Sequence, residues 1–256
     1  MLPALFISHG APNVILYDSP TRQFLARLGE QMSRPRAIVA ISAHWEARAP
    51  TVNATAQPQT IHDFSGFEPP LYQMNYPAPG APELAREVAR RIESAGIRAA
   101  VDDARGLDHG VWVPLKLMYP QAEIPVTHVS VQSRDTTQHH FLIGQALRDL
   151  REDNVLILAS GNATHNLREM MPDGSEPPDW VTSFATWLRQ KIAEGDTHEL
   201  LDYRIHAPFA QQNHPTEEHF LPLFAALGAA TPGVAGRMIH SGTTFGVLEM
   251  DAYAFD

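Results

Sequence analysis

Short, continuous apolar segments rich in β-branched residues constrain the fold of this chain more than any other feature. The clearest is Ala37–Ala43, and Leu2–Ile7, Val126–Val131 and Val155–Ala159 are similar. An apolar strand without alternation is buried on both faces, which is typical of parallel sheets. The helical spacing of Pro20–Met32, between the first two strands, completes a strand–helix–strand unit. The sequence therefore predicts an α/β protein with a mainly parallel sheet.

The remaining elements are predicted from periodicity and from residues that start or stop helices. The expected helices are Glu83–Ala95, Trp112–Met118, Thr136–Leu150, Asp179–Ala193 and Thr216–Leu227. Thr216 is the expected N-cap of the last one, which would place His219 in its first turn. A strand is expected at Ile97–Val101, and Val234–His240 and Phe245–Met250 are expected to close the sheet as an antiparallel edge pair. The proline-rich stretch from Ala49 to Pro82 predicts a long, functional loop with short strands at most, at Val52–Ala54 and Thr60–His62.

Composition excludes several kinds of function. The 256 residues suffice for one large domain or two small ones, and the net charge of −10 argues against binding nucleic acid. Because there is no cysteine, disulfides and thiolate metal sites are excluded, and a metal would need imidazole or carboxylate ligands. The first residues predict a strand and not a signal peptide, no apolar segment approaches the ~18 residues of a membrane span, and a cytoplasmic location is expected.

Histidines follow three of the buried strands. His9 follows Ile7-Ser8, His44 follows Ser42-Ala43, and His165 follows the strand that ends at Ala159. The carboxyl ends of strands form the ligand-binding edge of an open α/β sheet, so these side chains are expected to converge. A single histidine after a strand is more commonly a hydrogen-bonded or capping residue, but three similar endings favour a Zn, Fe or Mn site. His219 is the fourth candidate.

Other histidines support a site less directly. His109 stands beside Asp108 in a predicted turn, and it is either a surface residue or a residue that supports the site or moves a proton. His62, beside Asp63, has the same two interpretations. His128 lies inside a predicted strand and is expected to be a hydrogen-bonded core residue. The aromatic residues of the long loop are numerous enough to form the wall of a pocket.

Seven short motifs, in order and spread over nearly the whole chain, resemble those of the class III extradiol ring-cleavage dioxygenases. Within this family, the chain is most similar to the subgroup that includes bacterial and plant 4,5-DOPA dioxygenase-like proteins. The matching motifs are Ser8-His9-Gly10, Ser42-Ala43-His44-Trp45, His62-Asp63-Phe64, Tyr76-Pro77-Ala78-Pro79-Gly80, Gly106-Leu107-Asp108-His109-Gly110-Val111-Trp112, Ser160-Gly161-Asn162 with His165-Asn166-Leu167, and Glu218-His219-Phe220-Leu221-Pro222-Leu223.

The resemblance implies one catalytic domain over residues 1–256, with three layers in which helices flank a central, mixed sheet. It implies a mononuclear metal held by His9, His44 and His219, with Fe(II) as the working ion and Zn(II) as a possible occupant. In the wider class the third ligand is a carboxylate, and Glu218 on a helix would point about 100° away from His219, so a carboxylate in the set stays an alternative. His165 corresponds to the general base and can also approach the metal.

The implied reaction is cleavage of a catechol ring by O₂ to give a semialdehyde acid. His165 would take a proton from the catechol, and His165 or His109 would return one. A zinc-dependent hydrolase or deacetylase-like enzyme that uses the same histidines is the alternative, because imidazole suits Zn and Fe alike. A non-catalytic metal- or ligand-binding protein is a third possibility. The expected partners are a small catechol and O₂, and the protein is expected to be a monomer or a homodimer.

Overall fold

A mixed sheet of eight strands forms the centre of the fold. In the computed structural model, which describes residues 1–256, the strand order is β4-β3-β5-β2-β6-β1-β10-β7. These strands are β1 (Ala4–Ser8), β2 (Ala37–Glu46), β3 (Thr51–Asn53), β4 (Ala100–Asp102), β5 (Val126–Val131), β6 (Val155–Gly161), β7 (Arg237–His240) and β10 (Ala252–Phe255). A separate hairpin pairs β8 (Thr243–Thr244) with β9 (Leu248–Glu249).

The four central strands β5, β2, β6 and β1 are parallel to one another. β10 pairs antiparallel with β1, β7 pairs antiparallel with β10, and β3 is antiparallel to β5. The three strands whose carboxyl ends lie at or near a predicted histidine ligand, β1, β2 and β6, are direct neighbours. Their carboxyl ends therefore meet at one edge of the sheet, as the sequence predicts, and the α/β class with a mainly parallel, mixed sheet is confirmed.

Helices cover both faces of the sheet and produce two separate cores. They are α1 (Pro20–Gln31), α2 (Pro82–Ser94), α3 (His109–Met118), α4 (Thr137–Leu147), α5 (Asp179–Glu194), α6 (Thr197–Leu201), α7 (Tyr203–His206), α8 (Ala210–Asn213) and α9 (Leu221–Gly228). Alternate residues of β2 separate to the two faces: Val39 and Ile41 pack with α2, α4, α5 and α9, whereas Ile38 and Ala40 pack with α1 and α3. This alternation explains why the strand is apolar at every position.

Local signals in the sequence account for several helix ends. Ser19 Oγ accepts a hydrogen bond from Arg22 N, with Pro20 in the first turn of α1, and Thr136 Oγ1 accepts one from His139 N at the start of α4. Such caps satisfy backbone N–H groups that have no partner within the helix. α5 ends at Gly195, whose φ of 69° is left-handed and suits glycine. No helix is both long and apolar enough to cross a bilayer.

The predicted closing strands are wrong in part. The edge strand is Arg237–His240, and its partner is Ala252–Phe255, which the sequence pattern did not reveal. The stretch from Phe245 to Met250 contains only the short β9, outside the main sheet. Because Ala252–Phe255 is short and its neighbour β1 is remote in sequence, no local pattern marks it as a central strand.

The last predicted helix begins later than expected. Thr216 does not cap it, because residues 215–220 form bends and turns and α9 begins at Leu221. The carbonyl of His219 accepts a hydrogen bond from Asn162 N, at 2.8 Å, and this contact draws it toward the end of β6 and away from a helical ladder. Pro222 suits the first turn of a helix because it has no N–H to leave unpaired.

Three smaller expectations also change. The predicted strand Ile97–Val101 is observed as Ala100–Asp102, and the predicted strand Thr60–His62 is reduced to a single bridge between Thr60 and Leu107. α3 begins at His109 and not at Trp112, because the Asp63 carboxylate accepts a hydrogen bond from His109 N (2.9 Å) and so caps the helix from the long loop.

Candidate metal centre and its cavity

Three histidine side chains meet at the carboxyl edge of the central strands. His9 directly follows β1, His44 lies near the end of β2, and His219 lies in the turn before α9. His44 Nε2 lies 3.0 Å from His9 Nε2 and 3.3 Å from His219 Nε2. All three side chains were predicted from sequence as candidate ligands, and the fold brings them within reach of one ion.

In each of these three imidazoles, the Nδ1 atom faces an oxygen atom of a neighbouring side chain. His9 Nδ1 lies 2.9 Å from Ser160 Oγ, and His219 Nδ1 lies 3.1 Å from Glu218 Oε1. The Ser160 hydroxyl donates to the carbonyl of Gly110, so its oxygen is free to accept, and an ionised carboxylate can only accept. These contacts favour the tautomer with the proton on Nδ1 in both His9 and His219. His44 Nδ1 faces Asp63 Oδ2 at 3.5 Å, a longer contact of the same kind.

This arrangement turns the Nε2 lone pairs toward one point. Burial, reinforced by His44, holds the pKa of His9 well below its usual value, and burial with His165 does the same to the pKa of His219. Burial, reinforced by His109, lowers the pKa of His44 to about 3. Neutral imidazoles whose lone pairs converge repel one another unless a cation lies between them, and three imidazoles suit Zn or Fe. The residues present therefore fit a divalent transition metal.

The strand that carries His44 is distorted at that point. Ser42 is opposite Ser130 and Glu46 is opposite Val131, so the residues between them form a bulge that redirects the His44 side chain. The buried Asp108 carboxylate supports this bulge, because Ser42 Oγ donates to Asp108 Oδ1 at 2.6 Å and His44 N donates to Ser42 Oγ at 3.2 Å. Burial raises the pKa of Asp108, although the Ser42 hydroxyl opposes this rise.

Gly161 allows two ligand-bearing segments to approach each other closely. A Cβ at Gly161 would lie 2.1 Å from the carbonyl oxygen of His219, which is a severe clash with backbone. The Gly161 carbonyl also accepts a hydrogen bond from His9 N, at 3.0 Å. The glycine at the end of β6 therefore places His9 and His219 on either side of one strand terminus.

His165 and His109, the predicted catalytic residues, lie beside the three convergent histidines. The His165 ring stacks on the His219 ring with a centroid distance of 3.5 Å and an interplanar angle of 10°. Burial lowers the pKa of His165 to about 4. The His109 ring lies 3.9 Å from the His44 ring, and His109 Nδ1 lies 3.0 Å from Asp63 Oδ2. Ligand atoms of His165, Glu218 and His219 lie within 4.8 Å of one another, as do those of His9, His44 and His219.

Two carboxylates lie at the site: Asp63, for which no role was predicted, and Glu218, which was considered as an alternative ligand. Asp63 faces both His44 and His109. Burial raises the pKa of Asp63, but contacts with His109 outweigh this and bring it to about 2. Glu218 was expected to point away from His219 on a helix, but it reaches His219 Nδ1 because the segment is a turn. The His62-Asp63-Phe64 motif was the only sequence signal for Asp63.

The histidines form the floor of a cavity of about 270 Å³ with apolar walls. Its other lining side chains include Phe64 and Phe67 from the long loop, Leu167 and Met170 after β6, and Phe245 from the hairpin. Asn162 also lines it. The cavity is large enough for a single aromatic ring with a short substituent, and mostly apolar walls with a few polar groups are typical of a small-molecule site.

The remaining histidines lie outside this cavity. His62 Nε2 lies 3.0 Å from the carbonyl oxygen of Met74, although its ring packs against Phe64 in the cavity wall. His128 is buried in β5 as expected, but neither ring nitrogen has a hydrogen-bond partner, and its nearest charged neighbour is Asp108 Oδ2 at 3.7 Å. The prediction of a hydrogen-bonded core histidine is therefore wrong. His198, Asp202 and His206 form an exposed surface group.

Comparisons with known proteins agree with this geometry. Residues 3–250 match the family described as the catalytic LigB subunit of aromatic ring-opening dioxygenase. The chain is 42% identical to a 4,5-DOPA dioxygenase extradiol from Beta vulgaris, over 98% of this chain and 95% of that protein. It is 41% identical to a protein of the same name from Escherichia coli K12, over 89% and 85% of the two chains.

A solved structure shares the fold. The crystal structure of an uncharacterized protein from Escherichia coli K12 superposes with a TM-score of 0.85 at 34% sequence identity, and the match covers 100% of both chains. The family match spans nearly all of the chain, and it includes every histidine of the cavity. The chain therefore belongs to the LigB family of class III extradiol dioxygenases, which are ring-cleaving enzymes.

Proposed function

We propose that this protein cleaves the aromatic ring of a catechol with O₂, next to the two hydroxyl groups, to give a semialdehyde acid. The observation that carries this proposal is the convergence of three neutral imidazoles at the floor of an apolar cavity sized for one aromatic ring. The names of the similar proteins support a DOPA-like catechol as the substrate.

His9, His44 and His219 would hold the metal through Nε2, with Asp63, Ser160 and Glu218 orienting the rings from behind. An Fe(II) ion bound there would bind the catechol and activate O₂, and its charge would offset that of the deprotonated catechol. Zn(II) would fit the same three nitrogens, so it can occupy the site in the isolated protein.

His165 is proposed to take the proton that the catechol loses. Its pKa, lowered to about 4 by burial, leaves the ring neutral and able to accept a proton at pH 7. Its stacked position on His219 places it at the floor of the cavity. A positioned general base of this kind typically contributes about 10²–10⁴-fold to the rate.

His109 is the second residue proposed to move a proton. It lines the cavity on the side of His44. Its backbone N–H donates a hydrogen bond to the Asp63 carboxylate, which also lies 3.0 Å from its Nδ1. His165 lies beside His219 and His109 lies beside His44, so one of the two can remove a proton and the other can return one. The apolar walls keep water away from the ring during these transfers.

The substrate ring is proposed to pack between the aromatic side chains of the long loop and the segment after β6. Phe64 lies in edge contact with Phe67, at 5.6 Å between ring centroids, and near Trp112, so its orientation is supported from behind. Aromatic pairs of this kind favour a defined ring geometry. The partners of the protein are then a small catechol and O₂, and a monomer or a homodimer would serve equally.

The test is reconstitution of the metal-free protein with Fe(II) under anaerobic conditions, followed by a panel of catechols in air. Oxygen uptake that matches substrate loss, together with a yellow semialdehyde absorbance, is the expected result. Activity with Zn(II) and no response to Fe(II) would contradict the proposal. Because three histidines without a carboxylate also characterise zinc enzymes, hydrolysis of an ester or amide by the Zn(II) form is the competing outcome.

A further inference from the structure

Asn162 presents a buried hydrogen-bond donor that no protein group uses. Its side chain is 1% exposed and is the only polar side chain lining the cavity that is not a histidine. Asn162 Oδ1 accepts a hydrogen bond from Gly10 N at 3.1 Å, which fixes the orientation of the carboxamide. Asn162 Nδ2 is therefore the free end, and it is buried without a partner in the protein.

The backbone holds this donor beside two of the ligand histidines. Asn162 N donates to the carbonyl of His219 at 2.8 Å, and Gly10, which binds the carboxamide oxygen, directly follows His9. The carboxamide is thus tied to both ligand segments, and Asn162 lines the same cavity as the ligand histidines. It cannot rotate away without losing the hydrogen bond from Gly10.

The chemistry of the cavity determines what this donor would bind. The Nδ1 atoms of His9 and His219 already contact protein oxygens, and no lysine or arginine lines the cavity. A buried NH₂ group contributes most to binding when it donates to a negatively charged oxygen, because hydrogen bonds to charged groups are about twice as strong as neutral ones. In the proposed reaction, the catechol supplies that oxygen when it loses its proton.

We propose that Asn162 is a substrate-binding residue whose Nδ2 donates a hydrogen bond to a deprotonated ring oxygen of the bound catechol. This inference rests on the proposed function. Asn162 transfers no proton itself. It stabilises the anionic form of the catechol, which lowers the proton affinity of that oxygen and assists removal of the proton by a neighbouring base.

The test measures binding and not only turnover. 4-Nitrocatechol is titrated anaerobically into the Fe(II)-loaded protein, and the visible absorbance of its anion reports both affinity and ionisation state. Asn162→Ala is expected to weaken binding roughly tenfold and to shift bound 4-nitrocatechol toward its protonated form. Asn162→Asp keeps an acceptor for Gly10 N but places a carboxylate against the anion, so a larger loss of affinity is expected.

Asn53 provides a matched control. It is equally buried, its Oδ1 accepts a backbone N–H from Thr55 at 2.9 Å, and its Nδ2 also lacks a partner, but it lies in β3 away from the cavity. Asn53→Ala should destabilise the fold without changing the affinity for 4-nitrocatechol. Metal content and thermal stability of every variant are measured alongside binding.

The outcomes separate the two proposals. If the wild-type protein cleaves catechols and both Asn162 variants bind 4-nitrocatechol as tightly as it does, the role of Asn162 is overturned and the proposed function stands. If the Fe(II)-loaded wild-type protein neither binds nor cleaves any catechol, both proposals are overturned. Weaker binding by Asn162→Ala with unchanged metal content supports the inference.

Discussion

The histidine floor of the cavity differs in construction from its apolar rim. The rim consists of the wall residues Phe64, Phe67, Leu167, Met170 and Phe245. Three of the floor histidines, His9, His44 and His219, come from strand ends and from a turn tied to a strand end, and His9 and His219 are only 2% and 6% exposed. The rim comes from loops, and two of its apolar side chains, Leu167 and Met170, are 54% and 45% exposed. The main-chain hydrogen bonds at the sheet edge therefore fix these floor residues, whereas the rim residues lie outside the main sheet.

Because of this difference, metal binding and the choice of substrate are expected to depend on different residues. A metal site requires ligand atoms in defined positions, which a sheet edge provides. A substrate-binding wall can change its residues without disturbing the sheet, because loops tolerate substitution better than strands. Substitutions in the floor should therefore affect metal binding and chemistry, and substitutions in the rim should affect the choice of substrate.

The largest effect is expected for His44→Ala, which removes a floor ligand. Metal binding should fall below stoichiometric levels and ring cleavage should fall to background, because only His9 and His219 would remain as ligands. Metal content and oxygen uptake measure this directly. Metal that binds the folded state raises thermal stability, by about 2.7 kcal/mol at a hundredfold excess over Kd, and the variant should lose this gain. Stoichiometric metal in an active variant would contradict the assignment.

His165→Ala should separate metal binding from chemistry within the floor. The variant should bind metal as the wild-type protein does and lose roughly 10²–10⁴-fold in ring cleavage, the usual contribution of a general base. Metal analysis beside steady-state kinetics tests both halves. Loss of the metal would show that His165 is a ligand, and full activity would show that it does not move the proton.

Asp63→Asn tests whether the Asp63 carboxylate, which faces His44 and His109, contributes to metal affinity. The amide keeps the shape of the side chain but removes the charge that faces His44 and His109, and such supporting residues typically contribute about 10–100-fold to metal affinity. The affinity is measured by competition with a chromophoric chelator. Asp103→Asn, which changes an exposed carboxylate on the surface, is the control and should bind metal normally. Equal affinity in both variants would show that Asp63 does not orient His44.

The smallest effect is expected at the rim. Met170→Ala removes a half-exposed side chain, so the loss should stay within a few-fold in KM and vary with the substituent on the catechol, with metal affinity unchanged. Kinetics with catechol and with 4-methylcatechol, compared between variant and wild-type protein, test this. A loss of bound metal in Met170→Ala would remove the distinction between floor and rim.

The histidines of the floor were more predictable from the sequence than the carboxylates that contact them, Asp63 and Glu218. Buried parallel strands are apolar throughout and end abruptly, so the sequence pattern alone places His9, His44 and His165 at one edge. The contacts of Asp63 and Glu218 depend on where a loop folds and on where α9 begins, and these follow from pairings remote in sequence. The strand Ala252–Phe255 was missed for the same reason, because its place in the sheet depends on β1.

The position of β1 in the sheet has a consequence for folding. β1 (Ala4–Ser8) lies between β6 (Val155–Gly161) and β10 (Ala252–Phe255), so both of its partners in the sheet are remote in sequence. His219, which completes the histidine floor, is also among the late residues. Contacts between distant segments form slowly because the chain must first close large loops. The cluster of His9, His44 and His219 is therefore expected to form late in folding, after β1, β6 and the turn at His219 have come together.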